Sequence, residues 1–146
     1  PVKPDFLLAM LFLCLMLFDD RRIGFVSGIA AGILSGLTTS MPGGFLPNLI
    51  DKFVTTCLLI GMIHVSRKFV NSYVLSIVTP IIGTILSGSI FLTSAILLKV
   101  LPSEAFIPAF VTAVLPAVVG NVLLVSILFG ALKQTSRLYA RNKKAA

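Results

Sequence analysis

Residues 41–56 of the chain read MPGGFLPNLIDKFVTT and bring several polar and ionisable groups together between long apolar runs. The Gly-Gly pair lowers the helix propensity of this stretch, and its two prolines bias the residues before them away from the α region. We therefore expect a loop over 41–47. A new helix is expected to begin at Asn48, with Pro47 beside the cap and the Asn48 side chain accepting hydrogen bonds from the first-turn amides.

The composition predicts a membrane protein. Apolar residues make up 57% of the chain and charged residues 12%, and the mean hydropathy is +1.06, which is far from the usage of a soluble domain. We predict an all-α, polytopic membrane helix bundle, forming a single transmembrane domain over 1–146. The net charge of +7 is better explained by membrane topology than by nucleic-acid binding, because the basic residues are not interleaved with aromatic residues.

The apolar runs predict five transmembrane helices, over about 4–18, 23–40, 48–66, 69–98 and 105–132, followed by a basic tail over 133–146. The first run is short, since crossing a bilayer takes about 20 residues. The last two runs exceed the bilayer thickness, so we expect tilt, kinks or protruding ends there.

The Lys and Arg residues alternate between the two ends of these segments. One side receives Arg21, Arg22, Arg67, Lys68 and the basic residues of 133–146, and the other receives Lys3, Lys52 and Lys99. The richer side, with the C-terminus, is predicted to be cytoplasmic, in a bacterial cell membrane. This alternation requires the first run to cross and leaves the N-terminus outside. We therefore expect one further upstream helix that would return the N-terminus to the cytoplasm.

Glycines recur at four-residue intervals in the second run, at Gly24, Gly28, Gly32 and Gly36. Small residues at this spacing let helices approach closely in lipid. Two interpretations are open: the glycine face packs inside the protein, or it docks onto a different membrane protein. Small residues at Ala109, Ala113 and Ala117 repeat the device in the fifth run.

Four polar residues on the helix expected from Asn48 share one face, because an i, i+3, i+4, i+7 spacing relates Asn48, Asp51, Lys52 and Thr55. A charge at membrane depth costs on the order of 2.5–3.5 kcal/mol. Asp51 and Lys52 point ~100° apart, so helix geometry alone does not predict a tight mutual pair. Either both groups reach water at the outer surface, or they form a zwitterion site. In that site Lys52 meets a carboxylate and Asp51 an ammonium, while the helix N-terminus favours the anion.

A second polar interruption lies in the fifth run, at Thr112, Pro116, Gly120 and Asn121. An Asn in mid-membrane must find partners. Asn121 either joins helices through hydrogen bonds or faces the same cavity as 48–52. The chain carries no HExxH, GxSxG or phosphate-loop motif, and its carboxylates are scattered. We predict that it is not an enzyme and needs neither metal nor cofactor.

Three motifs resemble one family: KPDF at 3–6, PGG at 42–44 and PNLIDKFVT at 47–55. They are similar to the bacterial tryptophan transport proteins, which resemble the substrate-binding (S) components of energy-coupling factor (ECF) transporters. The resemblance runs along most of the chain. Such S components have six helices with both ends cytoplasmic, so this chain is expected to match helices two to six.

The resemblance implies a function that spacing does not show. An S component captures its substrate, here tryptophan, from outside in a pocket near the outer face that loops cover. It then associates with a transmembrane coupling subunit and two ATPases, which drive it to reorient. We expect Asn48, Asp51, Lys52 and Asn121 to bind the amino-acid head group, with Gly44 and Phe45 in the gating loop. Phe residues would stack on the indole, because the chain has no Trp.

Two other functions remain open from the sequence. A structural or assembly membrane protein would use the glycine face to bind a partner. A self-sufficient small-solute carrier would transport without any ATPase.

Overall fold

The computed structural model describes residues 5–18 and 20–145, with side chains described as far as Arg137, and the secondary structure of these residues is helical, without strands. Some residues of the predicted first span and its flanks lie outside the described residues, namely Lys3, Pro4 and Asp19. The main helices are α1 (Phe6–Leu17), α2 (Arg21–Thr38), α3 (Phe45–Ser66) and α4 (Ser72–Leu97). A 3₁₀ turn (Ser103–Ala105), α5 (Phe106–Ala109), a π-helical turn (Phe110–Val114) and α6 (Leu115–Ala145) then follow without a break.

Three helical segments are long and apolar enough to cross a membrane: α3, α4 and the continuous segment Ser103–Arg137. Helix α1 is apolar but shorter, with 12 residues. The all-helical architecture is the predicted one, and these segments are consistent with a multi-pass membrane protein.

Helix α1 is the centre of the bundle and contacts α2, α3, α4 and α6. Its buried side chains include Leu8, Leu11 and Phe12, and the Phe12 ring lies against Gly83 of α4. At about 1.5 Å per residue the helix is roughly 18 Å long, well short of the ~30 Å hydrocarbon core. The N-terminal end of α1 lies level with the second turn of α3, because Asp5 Oδ2 is 3.0 Å from Lys52 Nζ. The Asp5 side chain caps this end by accepting a hydrogen bond from the Leu8 amide at 3.0 Å.

The glycine face of α2 packs inside the protein, against α3. A Cβ atom added at Gly28 would lie 2.8 Å from Cβ of Thr56, and one added at Gly36 would lie 2.6 Å from the Phe45 ring. A Cβ atom added at Gly24 would likewise lie 3.0 Å from the Ile60 side chain, and one added at Gly32 would lie 3.2 Å from the Leu49 side chain. This answers the question that the sequence left open, and it removes the surface that an assembly protein would have used.

The loop before α3 is shorter than predicted, and the predicted start at Asn48 is wrong. Helix α3 begins at Phe45, so Pro47 lies in its first turn, where a missing N–H costs no intrahelical bond. Gly43 adopts a φ of 76°, a left-handed conformation that glycine allows at little cost. Asn48 does not cap the helix; its Nδ2 donates to the Gly44 carbonyl oxygen at 2.8 Å.

Two prolines lie in the later helices, Pro80 buried within α4 and Pro116 exposed at the start of α6. Pro80 in α4 lacks the N–H that would pair with the Ser76 carbonyl, and Ser126 of α6 donates its hydroxyl to that oxygen at 3.4 Å. Pro116 comes directly after the π-helical turn, in which the Leu115 amide donates to the Phe110 carbonyl oxygen. The wider turn before Pro116 changes the direction in which the next side chains face.

Candidate functional site

A cavity of about 620 Å³ opens between the N-terminal end of α1, the first turns of α3, the middle of α4 and the π-helical turn. Its size falls within the range of small-molecule sites, about 300–1,000 Å³. Its lining combines polar and charged residues with small and apolar ones. The lining residues are Asp5, Leu8, Thr39, Asn48, Asp51, Lys52, Thr84, Ser87, Gly88, Phe91, Ala113, Val114 and Ala117.

Lys52 is the centre of an ionic cluster in this cavity. Its Nζ lies 2.6 Å from Asp51 Oδ2, 3.0 Å from Asp5 Oδ2 and 3.4 Å from Ser87 Oγ. The expectation that Asp51 and Lys52 would not form a tight pair is wrong. The four-carbon stem of the lysine folds back far enough to overcome the ~100° between the two Cα–Cβ directions.

The cluster is buried, which also excludes the interpretation that both charges simply reach water at the outer surface. Asp51 and Lys52 are 1% and 2% exposed. Buried charges need partners with good geometry and satisfied hydrogen bonds. Asp51 meets this requirement, because Oδ1 accepts from Thr55 and Oδ2 accepts from both Lys52 and Ser87.

Asp5 brings a second carboxylate to the same lysine. It lies just before α1, and its Oδ2 faces Lys52 while its Oδ1 caps the helix. With both carboxylates ionised, the cluster holds one positive and two negative charges. A ligand that brings a positive group into the cavity therefore meets a complementary field.

The part of the cavity lining that comes from the π-helical turn and the start of α6 is apolar. Ala113, Val114 and Ala117 line it from the π-helical turn and the start of α6, and Phe91 lines it from α4. Val114 fits over Gly88, where an added Cβ would lie 2.5 Å from Val114 Cγ1. Ala113 and Ala117 thus line a cavity, whereas the sequence had suggested that they repeat the close packing of the glycine face.

Asn121 lies behind this cavity and does not line it. Its Nδ2 donates to Thr84 Oγ1 at 3.0 Å, and Thr84 in turn faces the cavity. Because Thr84 Oγ1 accepts this bond, its own hydroxyl hydrogen is left to donate elsewhere. Asn121 is fully buried, and no hydrogen-bond partner for its Oδ1 is found among the described residues.

The structure thus brings together three of the predicted head-group residues, Asn48, Asp51 and Lys52, around one cavity. Gly44 and Phe45 lie at the start of α3 next to this site but do not line the cavity; the Phe45 ring packs on Gly36 instead. Within the described chain, no cluster of three or more His, Cys, Asp or Glu side chains is arranged to hold a metal ion.

Sequence reasoning missed Asp5, Ser87, Thr84 and Phe91. Asp5 did carry a signal, since an acidic residue directly before an apolar helical run is a typical N-cap. Ser87 and Thr84 lie on one face of α4, three residues apart, within an otherwise apolar helix.

Comparison with known proteins gives the family. A family profile described as "Tryptophan transporter TrpP" matches residues 1–137. The chain belongs to the TrpP tryptophan transporter family. This membership implies a transport role.

Individual relatives agree with the family assignment. A protein of Clostridium acetobutylicum named "Probable tryptophan transport protein" is 42% identical over 141 residues, covering 97% of this chain and 82% of the relative. A Bacillus subtilis protein of the same name is 41% identical, covering 88% of this chain and 73% of the relative. One from Clostridium perfringens is 34% identical, covering 94% and 80%. No solved structure matches the chain.

Proposed function

We propose that this protein is the substrate-binding membrane subunit of a tryptophan importer, and that the cavity at Lys52 holds the substrate. The observation that carries the proposal is the ionic cluster of the buried Asp51 and Lys52 with the half-buried Asp5, which lines the same cavity as a set of small and apolar residues. Buried charges in a membrane bundle are costly and typically mark a substrate or ion site.

The two walls of the cavity fit the two halves of an aromatic amino acid. The charged wall offers both signs of charge to a zwitterionic head group. The apolar wall, with Phe91 and the small residues Ala113 and Ala117, accommodates a flat apolar side chain, on which an aromatic ring can stack. Tryptophan is the substrate that the names of the family and of its relatives give.

The distribution of positive charge supports capture at the outer face. The cavity lies at the N-terminal end of α3, whereas Arg67 and Lys68 follow its C-terminal end. Lys133 and Arg137, near the C-terminal end of α6, belong to the same basic side. Since cytoplasmic ends carry an excess of Lys and Arg, the cavity opens toward the outside and the C-terminus is cytoplasmic.

The coupling to ATP follows from the resemblance to ECF S components. In this proposal a transmembrane coupling subunit and two ATPases reorient the protein and release tryptophan inside. Asn48, Asp51, Lys52 and Asn121 serve the head group, directly or through Thr84. Gly44 and Phe45 belong to the segment that gates the cavity, since they join the loop to the first turn of α3.

Equilibrium calorimetry on the purified protein in detergent tests the binding step, with tryptophan as ligand and phenylalanine and thiamine as controls. We expect tight, tryptophan-selective binding without any partner protein. Reconstitution into proteoliposomes tests the coupling step. The proposal expects no uptake by the protein alone, and uptake by the protein alone would instead identify a self-sufficient carrier.

A further inference from the structure

The three charged groups of the cluster differ in how far a ligand can reach them. The Asp5 side chain is 37% exposed, while those of Lys52 and Asp51 are almost completely buried. Asp5 also comes from a different helix, so it can move relative to α3 without disturbing the Asp51–Lys52 pair. Asp5 is therefore the carboxylate that an incoming ligand meets first.

Asp51 is already saturated. Its Oδ1 accepts from Thr55 at 3.0 Å, and its Oδ2 accepts from Lys52 at 2.6 Å and from Ser87 at 2.9 Å. A ligand ammonium would have to break one of these buried hydrogen bonds to reach it, which leaves a polar group unsatisfied. Asp51 acts as a positioning residue that holds the lysine in place.

Lys52 has no spare donor in this state. An ammonium group carries three N–H donors, and Nζ lies near three acceptors: Asp51 Oδ2, Asp5 Oδ2 and Ser87 Oγ. A ligand carboxylate can therefore bind Lys52 only by displacing one of them. Ser87 is held in place because its hydroxyl donates to Asp51 Oδ2 at 2.9 Å, and Asp51 is buried. Asp5 is half-buried, so it is the acceptor that the ligand can displace.

We propose that an α-amino acid binds by inserting its zwitterion into the Lys52–Asp5 ion pair, an inference that rests on the proposed function. The ligand carboxylate replaces Asp5 on Lys52, and the ligand ammonium takes the released Oδ2 of Asp5. Every charge keeps an opposite partner throughout, so no buried ion is left uncompensated. Asp5, rather than Asp51, is the ammonium-binding residue.

Two consequences follow from insertion. A ligand that has an amine but no carboxylate cannot replace Asp5 on Lys52, so the Lys52–Asp5 ion pair stays intact. A ligand that has a carboxylate but no ammonium replaces Asp5 and leaves it without a positive partner. The site therefore selects α-amino acids over both kinds of ligand. In addition, the ligand replaces the direct link between α1 and α3 with a bridge. The position of the N-terminal end of α1 is therefore expected to depend on whether the cavity is occupied. Helix α1 contacts four other helices, so such a shift would also change its contacts with them.

The test compares three ligands on the wild-type chain by calorimetry: tryptophan, tryptamine, which lacks the carboxylate, and indole-3-propionate, which lacks the ammonium. We expect tryptophan to bind roughly 30-fold or more tightly than either analogue, as expected for loss of one buried charge contact. Tryptamine or indole-3-propionate binding within about threefold of tryptophan overturns the inference. This comparison needs no variant.

The Asp5→Asn variant gives a sharper result, because Asn caps a helix as well as Asp does and α1 keeps its cap. We expect tryptophan affinity to fall roughly 30-fold or more, and indole-3-propionate affinity to rise, since Lys52 is freed from its competitor. Equal losses for both ligands indicate a structural role and overturn the inference, as does unchanged tryptophan affinity.

The matched control is Asp20→Asn. Asp20 caps α2 through the Arg22 amide as Asp5 caps α1, but it does not line the cavity, so tryptophan binding is expected to be unchanged. Failure of the inference and failure of the proposed function remain distinguishable. If the wild-type protein does not bind tryptophan at all, the proposed function is wrong. If it binds but Asp5→Asn leaves the ligand ratio unchanged, only the insertion mode is wrong.

Discussion

Two helix contacts, called seams here, are lined by small residues: the glycine face of α2 against α3, and α4 against the π-helical turn, where Gly88 packs on Val114 but Ala113 and Ala117 do not close the space. Between α2 and α3 the glycine face closes completely, with Thr56 and Phe45 against Gly28 and Gly36. Between α4 and the π-helical turn, Ala113 and Ala117 line a cavity of about 620 Å³. The irregular backbone before Pro116 sets the second seam apart. Regularly spaced small residues therefore permit close helix packing but do not produce it. The backbone geometry of the two packed segments decides whether they close together or leave a cavity.

Of the substitutions that compare the two contacts, the largest effect is expected for Gly28→Leu, between α2 and α3. The added side chain meets Thr56, whose hydroxyl donates to the Lys52 carbonyl oxygen at 2.6 Å, so α2 and α3 must separate. We expect a loss of about 3 kcal/mol of stability, at the upper end for overpacking, measured by thermal unfolding in detergent. The matched control is Gly61→Leu, because a side chain at Gly61 points into open space. Equal stability of the two variants would show that the seam is not closed.

A smaller effect is expected for Ala117→Leu in the open seam. The larger side chain occupies cavity volume, so tryptophan affinity should fall about tenfold, equivalent to about 1.4 kcal/mol, while the unfolding temperature stays the same. The control is Val119→Leu, which changes an exposed residue of the same helix. A loss of stability in place of a loss of affinity would mean that this seam, too, is close-packed.

The smallest effect is expected for Asn121→Leu. This change destabilises the protein by removing one hydrogen bond to Thr84, worth about 0.5–1.5 kcal/mol. It also stabilises the protein by removing Oδ1, a buried acceptor without a described partner. The two effects largely offset each other. We expect tryptophan affinity, measured by calorimetry, to change less than about fivefold, or ~1 kcal/mol. Complete loss of binding would show that Asn121 contacts the head group directly.

The comparison of the two seams also shows where sequence reasoning succeeds. Helix periodicity placed Asn48, Asp51 and Lys52 on one face, and all three line the cavity. The composition predicted an all-helical membrane bundle, and the described residues form helices without strands, three segments of which are long and apolar enough to cross a membrane. Both predictions depend on local spacing and on hydropathy, which the sequence carries directly.

The remaining features depend on contacts between distant residues. Asp5 meets Lys52 because the packing of the short helix α1 against α3 brings its N-cap beside the second turn of α3. Ser87 joins the cluster from a helix 35 residues away. The Asp51–Lys52 pair was missed because the prediction used backbone directions and not the reach of a flexible lysine side chain.

The most direct test is tryptophan binding by the Lys52→Ala variant, measured by calorimetry beside the wild-type protein. Removing the lysine leaves the Asp51 carboxylate without its positive partner and costs on the order of 3–5 kcal/mol of stability. The double variant Asp51→Asn/Lys52→Met therefore serves as a folded reference, because it leaves no unpaired buried charge at this position. We predict tight binding by the wild type and no detectable binding by either variant, with thermal unfolding showing that the double variant is folded. Wild-type affinity in a folded variant that lacks Lys52 would contradict the assignment of this cavity as the substrate site.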